Sequence, residues 1–240
     1  MGKGYGQYCP IARASEIVCE RWTPLVLREL MSGSCHFNEI SRGVPLMSRA
    51  LLIKRLKELE AAGMIARQAN PAGQGWIYLL TPAGEALRPV IESLGTWAAQ
   101  WTCDRIFPDQ LDDQLLMWSM RRSVNLQAIP PHKLVLQFDL RGLVRGKLKD
   151  RSYWMVIDQE QVDVCLSDPG FEVDVVIHAD LSAFTHVVMG YDPLDQALEA
   201  GSITFEGPQD YVRQLPVWLY LQGERRYLSG LAPAVAGKMT

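Results

Sequence analysis

Apolar residues recur mostly at helical spacing through the first hundred positions, and segments that alternate apolar and polar residues come in from about residue 133. Cys9-Pro10 opens the first helical pattern, with Ile11, Ala14, Ile17 and Val18 on one face and proline at an early helical position. Thr23-Pro24 repeats the device: threonine is expected to cap, and LeuValLeuArgGluLeuMet continues as a second helix to Gly33. PheAsnGluIle (37–40) starts a third, which Gly43-Val44-Pro45 breaks. In Ser48–Ala62, Leu52, Leu56 and Leu59 form a narrow apolar face, while Arg49, Ala50, Ile53, Lys54 and Lys57 project elsewhere. Ser48 is placed to cap this helix and Gly63 to terminate it. Two short strands follow, 64–68 and 76–80, joined by the turn-rich AsnProAlaGlyGlnGly. Thr81-Pro82 then opens a long helix reaching Trp101, with Leu87, Val90, Leu94, Trp97 and Trp101 at heptad-like spacing.

Short helix, turn, basic capped helix and hairpin is the order of a winged helix-turn-helix, whose second helix enters the major groove of DNA. Ser48, Arg49, Ile53, Lys54 and Lys57, with Arg42 just upstream, are the candidate DNA contacts. Arg49 and Lys54 sit where base edges are reached; Lys57 and Arg42 suit phosphate. The stripe of Leu87, Leu94 and Trp101 is longer than one small domain needs, and pairing between two copies would bury it.

The second pattern is different. A helix ending in Arg121-Arg122 precedes Pro130-Pro131, which cannot continue it. Four segments then alternate apolar and polar residues: 133–140, 152–157, 161–166 and 173–178. The connections AspGlnGlu and SerAspProGly are hairpin-like, so an antiparallel sheet is expected. Two helices bounded by Gly190 and Gly201, a strand SerIleThrPheGlu and a closing helix with Tyr211, Leu215, Trp218 and Leu219 complete the series. The fold class is α+β.

Charge sharpens the division. The net charge of -3 hides an asymmetry: residues 1–100 carry 11 Lys/Arg against 8 acids, and residues 101–240 carry 13 against 19. No Asp precedes Asp104, while 14 follow from there. The organisation expected is therefore a DNA-binding and dimerisation domain over 1–102, a helical linker over 103–130, a second domain over 131–226 and a tail over 227–240. The 240 residues hold no uninterrupted apolar run of membrane-spanning length and no secretory signal, so a cytoplasmic protein is expected.

Cys9-Pro10, Arg21-Trp22-Thr23, LeuArgGluLeu (27–30), PheAsnGluIle, the LysArgLeuLysGluLeuGlu run (54–60), Ala62-Gly63-Met64 and TyrLeuLeuThrProAlaGly (78–84) occur together and in order. In these motifs, over about residues 8–101, the chain closely resembles the HxlR-type transcriptional regulators. That resemblance implies a homodimeric winged helix on double-stranded operator DNA, with the first and last helices of the domain forming the dimer contact. One departure is the wing: members often carry a basic residue there, but residues 70–75 have no charge. Residues 133–221, above all AlaAspLeuSerAlaPhe and AlaLeuGluAlaGlySerIleThrPheGluGly, look like the sterol carrier protein fold. This second resemblance implies an apolar cavity between sheet and helices, with Trp154, Phe184, Val188 and Trp218 as candidate lining residues for a lipid or another apolar effector.

Catalytic chemistry is not indicated. GxSxG, P-loop, GxGxxG-after-strand and HExxH patterns are all missing, and His178 and His186 have no nucleophile partner in the sequence. Five cysteines without CxxC spacing, and histidines at no ligand spacing to them, predict neither a disulfide framework nor a metal site, and no cofactor is expected. Cys19, Cys35 and Cys165 read as small core residues. Cys9 is separate: a thiol at a helix N-terminus with Arg13 one turn on is a redox or electrophile-sensing candidate, against the plainer reading of a residue packed in the dimer contact. The reading is a dimeric operator-binding regulator tuned by an apolar molecule. The alternatives are a repressor controlled through Cys9 and a lipid-binding protein with a vestigial helix-turn-helix.

Overall fold

The structure, a computed structural model, describes residues 4–71, 73, 75–102, 106–144, 147–158 and 161–221. The 227–240 tail and the first residues of the 103–130 linker lie outside the described residues. The chain divides into two units at Ala98–Ala99.

The first unit runs α1 (Pro10–Val18), α2 (Thr23–Met31), α3 (Phe37–Gly43), α4 (Arg49–Ala61), β1 (Ile65–Ala69), β2 (Trp76–Leu80), α5 (Pro82–Glu85) and most of α6 (Arg88–Trp101). Its core gathers Val26, Leu27 and Met31 of α2, Ile40 of α3, Leu52, Leu56 and Leu59 of α4, Ile65 and Ile91. The α4 leucines are buried because they share one side of a 3.6-residue helix. Glu29 is fully buried and takes Arg28 as ion-pair partner at 3.0 Å, while the same guanidinium donates to the Gly43 carbonyl at 2.8 Å. Gly43 is required there, since a Cβ would stand 1.9 Å from the Glu29 carboxyl carbon. β1 and β2 form an antiparallel hairpin that pairs Ile65 with Leu80 and Ala69 with Trp76.

Two local expectations change. Trp22, at φ +78°, occupies the cap position of α2, and Thr23 is the first helical residue, buried with its hydroxyl pointed inward. The long helix expected from Pro82 to Trp101 breaks at Ala86–Leu87 into α5 and α6. The reason is Pro89, which lacks an N–H and whose ring would collide with the Glu85 carbonyl, so the helix restarts with proline in its first turn.

The second unit begins with the end of α6 and continues through α7 (Asp113–Arg121), β3 (Leu134–Val144), β4 (Lys147–Asp158), β5 (Gln161–Cys165), β6 (Val175–Asp180), α8 (Leu181–Val188), α9 (Leu194–Glu199), β7 (Ile203–Glu206) and α10 (Gln209–Trp218). Strand order is β5-β4-β3-β6-β7. The sheet is mixed rather than wholly antiparallel, because β3 and β6 run parallel, pairing Leu136 with Val175 and Arg141 with Asp180. SerAspProGly is thus part of a connection from an edge strand to the far side of β3, and not a hairpin turn. One sheet face, with Leu134, Leu136, Phe138, Tyr153, Met155, Ile157 and Ile177, packs with Phe184 of α8 and Leu215 and Trp218 of α10. Leu116, Met117 and Met120 of α7, from the segment read as linker, join the same core.

Candidate nucleic-acid interface

Helix α4 is built to present one face. Ser48 accepts from the Leu51 N–H at 3.3 Å and closes the helix start, and the buried leucines fix its rotation about its own axis. What remains outward is an exposed stripe of Ala50, Ile53, Lys54, Lys57, Glu58 and Ala61. Lys54 lies 3.8 Å from Glu58, one turn on, and Arg42 and Ser48 are also exposed.

Arg49 is the best-positioned base-reading candidate. Its guanidinium lies 4.8 Å from the Phe37 ring centroid and donates to Asn38 Oδ1 at 3.4 Å, both from the first turn of α3. That turn is itself fastened, because Glu39 accepts from the backbone N–H groups of Cys35 and His36 at 3.0 and 3.1 Å. A flexible cation is therefore held beside the start of α4 before any DNA arrives, which lowers the ordering cost of contact. Phe37 and Asn38 had no place among the sequence-derived candidates; their role depends on the α3–α4 crossing, which no single-helix pattern contains. Arg55, by contrast, is buried on the inner side, paired with Glu58 and with Glu20 at 3.2 Å. On the wing, Arg67 of β1 stacks 4.3 Å from the Trp76 ring centroid and lies 3.6 Å from Glu60, so the cation nearest the uncharged loop is already engaged.

The candidate dimer residues separate. Leu87 packs against the first unit's core, at the break before Pro89, whereas Leu94 and Trp101 are exposed at 49% and 68%. Val90 and Trp97 are exposed alongside them, and Tyr8 and Ile11 are exposed at the start of α1.

Cys9 is half-buried at the cap position of α1. Cys19 is exposed, and Cys35 and Cys165 are half-buried, so none of those three is the core residue expected. Burial, then the Glu39 charge, pushes the Cys35 thiol above its ordinary range, away from thiolate chemistry.

In the second unit the four candidate lining residues do not converge. Phe184 and Trp218 are fully buried in the core, 0% exposed, and Val188 is half-buried against it. Trp154 lies on the opposite sheet face, between the buried Tyr153 and Met155, because strand side chains alternate. That face instead carries a polar cluster: Asp139 accepts from Ser152 at 2.6 Å and from Gln137 at 3.0 Å, and His178 bridges Asp139 and Glu206 at 3.2 and 3.5 Å. The buried Trp218 indole N–H meets no acceptor among the described residues. Among the described residues there is no cluster of metal-ligand type, and no helix is long and apolar enough to cross a membrane.

A capped basic helix following a short helix and leading into a β-hairpin defines a winged helix-turn-helix DNA-binding unit. The family model described as HxlR-like helix-turn-helix matches residues 17–105, and the SCP-2 sterol transfer family model matches residues 119–217. The uncharacterised HTH-type transcriptional regulator YvaP of Bacillus subtilis is 37% identical over 97 residues, 40% of this chain and 90% of YvaP. The HTH-type transcriptional regulator YodB of the same organism is 37% identical over 95 residues, 39% of this chain and 85% of YodB. A solved structure of the reduced form of YodB aligns at 33% identity over 42% of this chain and 100% of that chain, with a TM-score of 0.37. The chain belongs to the HxlR-like helix-turn-helix family of transcriptional regulators, and it carries a second, sterol-carrier-like unit.

Proposed function

We propose that the chain binds a two-fold operator as a homodimer in the cytoplasm, and that its second unit takes an apolar small molecule which adjusts operator affinity. The observation that carries the DNA reading is Arg49, held by Phe37 and Asn38 at the start of an exposed, capped, basic α4. The exposed apolar residues of α1 and α6 support the dimer, because pairing two copies would remove them from water. Support for the ligand comes from the fully buried Trp218 N–H, which lacks a partner among the described residues. Such an orphan costs about 1–3 kcal/mol, and a ligand acceptor would relieve it. The effector expected is therefore an apolar molecule with a single hydrogen-bond-accepting group, such as the carboxyl of a fatty acid.

The test is a mobility shift on the DNA upstream of the protein's own gene, with and without a long-chain fatty acid. A sequence-specific shift that the fatty acid changes supports both parts; equal affinity for that DNA and random DNA removes the first. Lys57→Ala should weaken all sequences alike and lower the salt slope by about one unit per site. A second reading, redox control through Cys9, has a specific observation in its favour. The thiol is half-buried at a helix cap beside exposed Tyr8 and Ile11, so modifying it would disturb the surface assigned to the dimer. Oxidant-sensitive operator binding that Cys9→Ser abolishes would establish it.

A further inference from the structure

Helix α4 carries apolar side chains on two sides. Leu52, Leu56 and Leu59 face the first unit's core and are buried. On the outward side Ile53 stands 47% exposed, with Ala50 and Ala61 exposed on the same stripe. Ile53 is the fifth residue of the helix, one turn beyond Arg49 and beside the exposed Lys54 and Lys57. A single exposed isoleucine is ordinary on a protein surface. Its place gives this one a role: it lies in the stripe that the capped, basic helix turns outward.

The rotation of α4 about its axis is set from the inner side, by the three leucines and by Arg55, which is buried and paired with Glu58 and Glu20. Ile53 is therefore held outward by the packing behind it. In a helix isoleucine keeps largely one χ1 rotamer, so its methyl groups are in place before any contact forms. Lys54, beside it, lies 3.8 Å from Glu58 and still keeps its side chain 68% exposed. A second copy of α4 laid on this stripe would set Lys54 and Lys57 against cations of the same kind. A polyanion suits these lysines, and Ile53 among them must then meet whatever apolar surface the polyanion offers.

We infer that Ile53 reads a thymine methyl group in each operator half-site. This rests on the proposed operator binding, which puts α4 in the major groove. Base edges there present hydrogen-bond donors and acceptors, and the C5-methyl of thymine is the apolar feature among them. A guanine or cytosine edge under Ile53 would lose water from its polar atoms and gain no partner. Ala50, a turn nearer the helix start, is short enough to let the base pair approach. Four residues separate Arg49 from Ile53, a rise of about 6 Å, or roughly two base-pair steps. The thymine is therefore expected within about two base pairs of the base that Arg49 meets.

The experiment titrates the full chain against the duplex upstream of its own gene, with thymines replaced by uracil one position at a time. Uracil keeps every hydrogen-bonding group of thymine and lacks only the methyl. Replacement at one position should weaken binding about fourfold, and at the matching positions of both half-sites about fifteenfold, the effect of one methylene-sized group per site. Ile53→Ala should weaken the thymine duplex and show no further loss on uracil, while Ile53→Val should keep part of the uracil effect. Lys57→Ala should weaken both duplexes and leave the ratio between them unchanged. Because Ile53 is exposed, thermal midpoints of its variants should match that of the unsubstituted chain. A uracil effect that Ile53→Ala leaves intact overturns the thymine contact alone. So does the absence of a uracil effect at every position while the unsubstituted chain still prefers its operator. If the unsubstituted chain binds the upstream and random duplexes equally, the proposed operator binding fails, and the contact with it. Loss of the dimer in sedimentation of Ile53→Ala, with the uracil effect intact, would assign this face to protein association and overturn the inference.

Discussion

In the first unit, Tyr8, Ile11, Val90, Leu94 and Trp97 stand in solvent along α1 and α6. In the second, Phe138, Phe184, Trp218 and Met155 are fully buried between sheet and helices. Both units have a packed core, and the first also leaves large apolar side chains of α1 and α6 exposed. The contrast teaches where completion comes from. A helix face of this kind is stabilised by a partner of matching shape, and this is the surface assigned to the proposed dimer. The second packs its sheet against helices, so a ligand entering that core must displace packing, with the Trp218 indole N–H, unpartnered among the described residues, as the point of polar return.

The most direct way to break this contrast is Leu94→Asp. It should abolish the dimer in sedimentation and cost the two-half-site operator about 100-fold or more in affinity, since bivalent engagement adds roughly 10²–10⁴. Normal binding by a monomeric variant would show that the exposed stripe has another use. Phe184→Ala should cost the second unit roughly 3–5 kcal/mol in urea unfolding of the full chain, the usual penalty for emptying a closed aromatic site. A loss under about 1 kcal/mol would mean that Phe184 faces open space and that the core is less sealed than the first comparison implies.

Smaller effects sharpen the picture of each unit. Arg49→Ala should lower operator affinity by roughly 1–3 kcal/mol and relax base preference at one position per half-site, read by binding-site selection. Tyr153→Phe should cost roughly 1–3 kcal/mol at neutral pH by taking the donor from Asp113. Burial, then the hydrogen bond to Asp113, holds the Tyr153 phenol above its ordinary value of about 10. A raised value stabilises the fold below the unfolded pKa and loses that contribution as pH rises past it. The stability gap between the unsubstituted chain and Tyr153→Phe should therefore begin to narrow as pH rises past about 10. A gap that stays constant as pH rises from about 10 to 11 would show that the Tyr153–Asp113 hydrogen bond does not stabilise the fold.

How far each part could be read in advance follows from the range of the forces involved. The three leucines of α4, its Ser48 cap and its Gly63 stop are local signals, and the helix they specify runs from Arg49 to Ala61. The strand segments of the second unit were legible from alternation, which depends only on the two-residue period. The break at Leu87 was also local, and Pro89 carried its signal, but the heptad spacing across it pointed to one continuous helix. The ends of β3 and β4 were not legible: Arg141 to Arg151 is charged and glycine-bearing and reads as a connection, while their mutual pairing carries β3 on to Val144 and starts β4 at Lys147.

The sequence by itself determined the order of helices and strands, the change from one unit to the next and the basic face of α4, because periodicity, caps and charge act within a few residues of where they are written. Only the tertiary structure decided that Phe37 and Asn38 hold Arg49, that Trp154 is parted from Phe184 and Trp218 by the sheet, that β6 runs parallel to β3, and that Gly142, Leu143 and Val144 pair with Lys149, Leu148 and Lys147. Each of these rests on contacts between segments distant in the chain, set by which faces pack and which strands pair, and such contacts leave no periodic trace in either segment alone.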